Sequence, residues 1–400
     1  MPSLAKKIKV VAKSPIRRIT ALLDEATNRP EIISFGGGAP SLPPAKEVVD
    51  EIIAQLQKNS LGASAYTATR GRGELLELIS QDLKKYGGID VDPDKEITLT
   101  DGATEGILLA LMATVDPGDE VIITDPTYLG FPEAVKLVDG RIVRLPVCVE
   151  EGCQPNIERL RKLVTKKTKA FILLSPDNPT GRVVEKERVK AIVDLAVDHD
   201  FWIIADDTYK HILYEGKHVW VSKLPKARER TITLYTFSKE ASLPGLRLGY
   251  AYGPAEAIDA MEKFKQYTSL ASNAISQLAL IRFLSGDLKE RYLRDTVIPT
   301  YLERRNAMGE YIRRYLPKAK TVKPNGAFYY FVDMKAYLNP IRMSDEQLSE
   351  ELVQRKKVVV IPGAYFGLNG KQHIRLTFVS EPVHRIEQGL KKLGEFFNEM

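Results

Sequence analysis

Cysteine is nearly absent: Cys148 and Cys153 are the only two in 400 residues. So few thiols build no disulfide framework and suit a reducing compartment. Their spacing lacks the second ligand pair that a zinc site needs, so no metal centre is expected. Long apolar runs are missing too. The longest, "ILLALMATV", falls well short of the roughly 20 residues that cross a bilayer. The opening "MPSLAKKIKVVAKS" is punctuated by lysines and has no apolar h-region, which argues against secretion and for the cytoplasm. No Lys/Arg block dominates. The 58 basic and 52 acidic side chains leave a formal charge of +6, which favours anionic small molecules over a nucleic acid. Nucleotide-cradling signatures are also lacking. There is no G-x-x-x-x-G-K-[ST], and "GRGELL" lacks the third glycine of G-x-G-x-x-G.

What is there is an ordinary soluble composition, 44% hydrophobic and 28% charged. At this length the chain is expected to form one large and one smaller domain. Strand-like runs alternate with helix-like ones from about residue 96 to 265: "EITLT", "PGDEVIIT", "KAFILLS", "FWIIADD", "TITLYTF" and "LGYAYG". Short β-branched runs separated by helices predict an α/β fold, a three-layer, mostly parallel sheet covered on both faces. A long charged helix follows around 285–316, which Pro299 is expected to break or kink. Beyond it "GAFYYFVDM", "KVVVIPG" and "HIRLTFV" read as strands of a smaller α+β unit.

The polar residues of interest lie where strands end, the place at which open α/β sheets bind ligands. "DGATEG" joins a strand to a helix, so the amides of Gly102, Ala103 and Thr104 can cradle a phosphate, although any such turn uses Gly and Thr for capping. "SPDNPTG" is a second strand exit, where Asn178 has the alternative of bonding its own backbone. "FWIIADDTYKH" drives a hydrophobic strand into Asp206, Asp207 and Tyr209. A carboxylate at the end of a buried strand requires a cation, such as a protonated heterocycle nitrogen. "TFSKEASLPGLRLGY" then offers Lys239, a candidate Schiff-base amine, with Thr236, Ser238 and Arg247 as phosphate donors. A carbonyl, a phosphate and a protonatable ring together describe pyridoxal phosphate.

At this point the chain resembles the fold-type I pyridoxal-phosphate-dependent aminotransferases of class I/II. "YTATRG", "SPDNPTG", "ADDTY", "TFSKEASLPGLRLGY" and "HIRLTF" occur in the family's order, and the likeness runs from about residue 14 to 380. The resemblance implies a large cofactor-binding domain over 46–288. It implies a small domain from 1–45 and 289–400, carrying the N-terminal arm and the long interdomain helix. It makes Lys239 the cofactor-linking and proton-shuttling residue, with Asp206 on the ring nitrogen, Tyr209 and Asn178 on the ring's 3-oxygen, and Tyr128 stacked on the ring. Gly102, Ala103, Thr104, Thr236, Ser238 and Arg247 would hold the phosphate. Tyr66 would reach the phosphate of a neighbouring subunit, which implies a homodimer with shared sites. Arg375 would grip the substrate α-carboxylate, helped by the amide of Gly38. Asp177 and Asp207 stand where many relatives carry Asn and Glu.

The N-terminal "SPIRRITALLDEATNRPEIISFGGGAP" is similar to the 2-aminoadipate and kynurenine or aromatic aminotransferases, in which an arginine like Arg17 can meet an acidic side chain. The expected reaction is a ping-pong transfer from an aromatic, 2-aminoadipate-like or broader range of L-amino acids to 2-oxoglutarate. The alternatives are a β-elimination lyase on the same scaffold and a cofactor-sensing regulator. For the regulator, only about thirteen residues precede the likeness, too few for a DNA-binding module.

Overall fold

A computed structural model describes residues 2–13, 31–58 and 61–400. After the short β1 (Ile33–Ser34), seven strands build one sheet. They are β2 (Ile97–Thr100), β3 (Glu120–Asp125), β4 (Arg141–Pro146), β5 (Thr168–Leu174), β6 (Trp202–Asp206), β7 (Thr231–Thr236) and β8 (Gly249–Tyr252). Their spatial order is β2-β8-β7-β6-β5-β3-β4. β8 runs antiparallel to both of its neighbours, and the other pairings are parallel. The carboxyl ends of β2, β5, β6 and β7 therefore share one edge.

Period-two alternation in β5 explains why the sheet is covered on both sides. Ala170, Ile172 and Leu174 join the cluster of Ile107, Leu109 and Leu111 from the helix Ala103–Thr114. Phe171 and Leu173 face Val189, Ile192 and Val193 of the helix Lys186–His199. β3, β5 and β6 are apolar at successive positions because both of their faces are buried. The edge strand β4, "RIVRLP", escapes that pattern: it is half-exposed, and its two arginines hide its apolar residues from a sequence scan.

The smaller unit contains β9 (Lys320–Thr321), β10 (Tyr329–Asp333), β11 (Val358–Val359), β12 (Ile361–Pro362) and β13 (His373–Thr377). An antiparallel sheet runs β12-β13-β10-β9, while β1 pairs with β11 in parallel. The run "KVVVIPG", expected as one strand, is thus divided between two sheets. All of Val358, Val359, Val360 and Ile361 are buried, so either side of the run can pack.

Pro299 produces neither a break nor an isolated kink. The helix Leu288–Tyr292 passes through a π-turn at Leu293–Val297 into the helix Ile298–Tyr315. The extra residue in that turn adjusts the hydrogen-bond register just before the proline, so the continuous helix accommodates its missing N–H. Among the described residues no helix is long and apolar enough to cross a membrane.

Candidate active site

The carboxyl edge of the large sheet meets β10 and β13 around a cavity of about 350 Å³. Its lining includes Gly38, Ala103, Thr104, Tyr128, Asn178, Asp206, Tyr209, Thr236, Ser238, Lys239, Arg247 and Arg375, so most of the residues singled out from sequence converge here. Tyr66 does not: it is 87% exposed, outside the cavity of its own chain. Arg17 lies outside the described residues.

β2 exits through Asp101 and Gly102 into the helix Ala103–Thr114. Gly102 has φ +80° and ψ 172°, a backbone region essentially restricted to glycine. A Cβ there would also stand 2.7 Å from an Nη2 of Arg247, so glycine lets the arginine close over the helix N-terminus. Arg247 itself sits at φ +50° after the Pro244–Leu246 turn, donating to the carbonyls of Pro244 at 3.0 Å and Asp101 at 3.2 Å. A helix N-terminus with an arginine across it is a ready anion site.

β7 ends at Thr236, whose hydroxyl donates to the Leu248 carbonyl and accepts from the amide of Ser238 at 3.2 Å. Thr236 thereby caps the turn Phe237–Glu240 that carries Lys239. Lys239 donates to the Gly38 carbonyl at 2.8 Å. Burial, reinforced by Arg375 and Arg247, lowers its amine to about 8. β6 ends at Asp206, whose Oδ1 accepts from the Thr208 amide at 3.0 Å and its hydroxyl at 2.5 Å. Burial outweighs these bonds and raises the carboxyl to about 6.

Asn178 does not fold back on its own turn: its Oδ1 accepts from Nη1 of Arg375 at 3.1 Å. The turn is closed by Asp177, which accepts from Thr180 and pairs with the buried Arg182 at 2.9 Å. That ion pair accounts for an aspartate at position 177. Asp207 likewise turns away from the cavity and meets His218 at 3.1 Å.

Arg375 projects from β13, 2% exposed, with neutral partners: Asn178, the Gly36 carbonyl at 2.6 Å, and the ring faces of Tyr329 and Phe366. Its Nε is buried and has no hydrogen-bond partner among the described residues. A buried guanidinium without a carboxylate calls for an anionic ligand.

Sequence reasoning missed Tyr329. Its hydroxyl meets that of Tyr209 at 2.8 Å and touches Gly38, where a Cβ would sit 2.6 Å away. It reads as one more aromatic in "GAFYYFVDM", and only the crossing of β10 under the cavity singles it out. Thr208 was legible in hindsight from the Asp-x-Thr turn spacing. Tyr128 lines the cavity with Ala103 and Thr104 of the helix N-terminus, and burial raises its phenol.

Among the described residues the cavity thus sets three cationic side chains, Lys239, Arg247 and Arg375, against one carboxylate, Asp206. This donor set fits a molecule with a phosphate, a basic ring nitrogen and an aldehyde, together with a carboxylate-bearing partner.

Known proteins agree with the geometry. Residues 30–393 match the family model of aminotransferase class I and II. The chain is 32% identical to an aspartate aminotransferase of Pyrococcus abyssi, covering 99% of both chains. It is also 32% identical to aromatic-amino-acid aminotransferase 2 of Thermococcus litoralis, covering 98% of this chain and 99% of that one. Among solved structures, an aspartate aminotransferase from Thermus thermophilus with maleate superposes with a TM-score of 0.91. It is 29% identical over 99% of this chain and 100% of that one. The chain belongs to the class I and II aminotransferases.

Proposed function

We propose that the protein uses pyridoxal phosphate to move an amino group from an L-amino acid to 2-oxoglutarate in a ping-pong cycle. The donor is aromatic, 2-aminoadipate-like or drawn from a broader range. The observation that carries this reading is the buried Arg375, which has no carboxylate partner among the described residues and lines the same cavity as a lysine with a lowered pKa.

The cofactor, when bound, supplies an aldehyde for a lysine amine and a ring that accepts the electron pair released at the substrate Cα. Gly102, Ala103, Thr104, Thr236, Ser238 and Arg247 would hold its phosphate, Thr236 also shaping the turn. Asp206 would keep the ring nitrogen protonated, and a cation there removes the penalty that burial imposes on this carboxyl. Tyr209 and Asn178 would donate to the ring oxygen, and Tyr128 would lie on the ring. Arg375 and Gly38 would fix the substrate carboxylate, turning the Cα–H bond toward Nζ of Lys239 as general base.

We further propose a cytoplasmic homodimer. The exposure of Tyr66 outside its own cavity supports its reaching a second subunit, and the free Cys148 and Cys153 suit a reducing compartment. We take 46–288 as the cofactor-binding domain and 1–45 with 289–400 as the small domain. Arg17 as a reader of acidic side chains belongs to the same proposal.

Lys239→Ala should lose both turnover and the visible absorbance of bound cofactor. Retained yellow colour with normal activity would sink the reading. A panel of donors at fixed 2-oxoglutarate, compared by kcat/KM, assigns the substrate.

A further inference from the structure

Three residues that line the cavity are each followed by a charged residue that does not. Asp206 precedes Asp207, Tyr209 precedes Lys210, and Lys239 precedes Glu240. The trailing side chains are buried behind the site with groups from distant elements. Asp82 comes from the helix Gly73–Gly87, and Lys289 from the helix Leu288–Tyr292. His211, Tyr86, Tyr235, Tyr250 and Trp220 complete the layer.

Its contacts are specific. Lys289 Nζ donates to Asp82 Oδ1 at 2.6 Å and to His211 Nε2 at 3.0 Å, and lies 3.7 Å from Glu240 Oε1. Glu240, 1% exposed, has His211 at 3.8 Å from its other oxygen. Lys210 donates to the Tyr250 hydroxyl at 2.7 Å and sits 4.0 Å over the Tyr235 ring. Two lysines, Lys210 and Lys289, thus face three carboxylates, Asp82, Asp207 and Glu240, in an interior where apolar side chains would have sufficed for stability.

The turn bearing Lys239 is weak by itself. Phe237–Glu240 is four residues long and is closed by a 3.2 Å bond from the Ala241 amide to the Phe237 carbonyl. Its entry is fixed by Thr236 and by the packing of Phe237 on Tyr235 and Tyr250. Its exit leads to Glu240, whose two oxygens are buried with no hydrogen-bond partner among the described residues, so the 3.7 Å approach of Lys289 and the 3.8 Å approach of His211 are what face its charge.

We propose that Glu240, held by Lys289, is a positioning residue that sets the orientation of the Lys239 side chain. This rests on the assignment of Lys239 as the cofactor-linking base. Removing the charge frees the end of the turn, and small displacements of a reacting group cost rate far more than binding.

The test uses cofactor-loaded enzyme carrying Glu240→Gln, Lys289→Met, or both. The readouts are kcat, KM, melting temperature, and the pH midpoint of the cofactor's visible band. Glu240→Gln should lower kcat about tenfold while KM stays within about twofold. It should also move the band midpoint by about half a pH unit or more. The double variant should be no slower than the slower single, since both act on one contact. Wild-type kcat and midpoint with only a lower melting temperature would overturn the proposal and leave the cluster a stabilising one. Should Glu240→Gln fail to fold, the double variant, with the net charge of the cluster unchanged, decides by the same criteria. Wild-type protein with neither a visible band nor transamination overturns the functional reading itself; a normal wild type with unaffected variants overturns the positioning role alone.

Discussion

Arg375 on β13 donates from Nη1 to Oδ1 of Asn178 at 3.1 Å, across 197 positions of chain. The bond ties the loop after β5 of the seven-stranded sheet to β13 of the four-stranded sheet at the cavity. It also orients the guanidinium fork, whose Nε has no partner among the described residues. A side chain held this way is prepared for a planar carboxylate.

Arg375→Lys removes the fork and keeps the charge. KM for L-amino acids should rise by about 100-fold or more, as expected for a buried, hydrogen-bonded ion pair. Reaction with an amine lacking the carboxylate should be unaffected. Equal losses for both compounds would show that Arg375 serves the fold and not the substrate.

Lys239 should capture pyridoxal phosphate at a rate that climbs with pH and levels off near the amine's pKa of about 8. Above that pH the neutral nucleophile predominates, whereas an ordinary lysine would keep gaining until about pH 10. Stopped-flow growth of the visible band checks this. A rate still rising at about pH 9.5 contradicts it.

Asp206 titrates near 6 against an ordinary 3.8, so the native chain holds a proton that the unfolded chain releases in that interval. The sign is therefore a loss of stability as pH rises from about 4 to 6, on the order of 2–3 kcal/mol at neutral pH in cofactor-free protein. Asp206→Asn should raise the melting temperature of that form at pH 7 and leave it little changed near pH 4. Cofactor affinity should fall in the same variant. A lower melting temperature at pH 7 would refute the assignment.

Asp177→Asn leaves Arg182 buried without its carboxylate. Urea unfolding should show a loss of about 3–5 kcal/mol, because an uncompensated interior charge remains. The kcat/KM of the folded fraction should not change, since Asp177 does not line the cavity.

By itself the sequence determined the αβ alternation, the strand exits that carry chemistry, and Lys239, Asp206, Tyr209, Asn178 and Arg247 as candidates, while Arg375 was named by the family resemblance of "HIRLTF". Those signals are local: strand periodicity, a strand running into charge, and fixed spacings within a turn. The tertiary structure decided which neighbour faces the ligand. Asn178 turns toward Arg375 while Asp177 pairs with Arg182, and Lys239 lines the cavity while Glu240 meets Lys289 behind it. It also brought in Tyr329, split "KVVVIPG" between two sheets, and absorbed Pro299 into a π-turn. Adjacent residues in a turn carry no periodicity that reveals their direction. That direction is set by burial energy, which places each charge beside a partner that the chain supplies from far away in sequence.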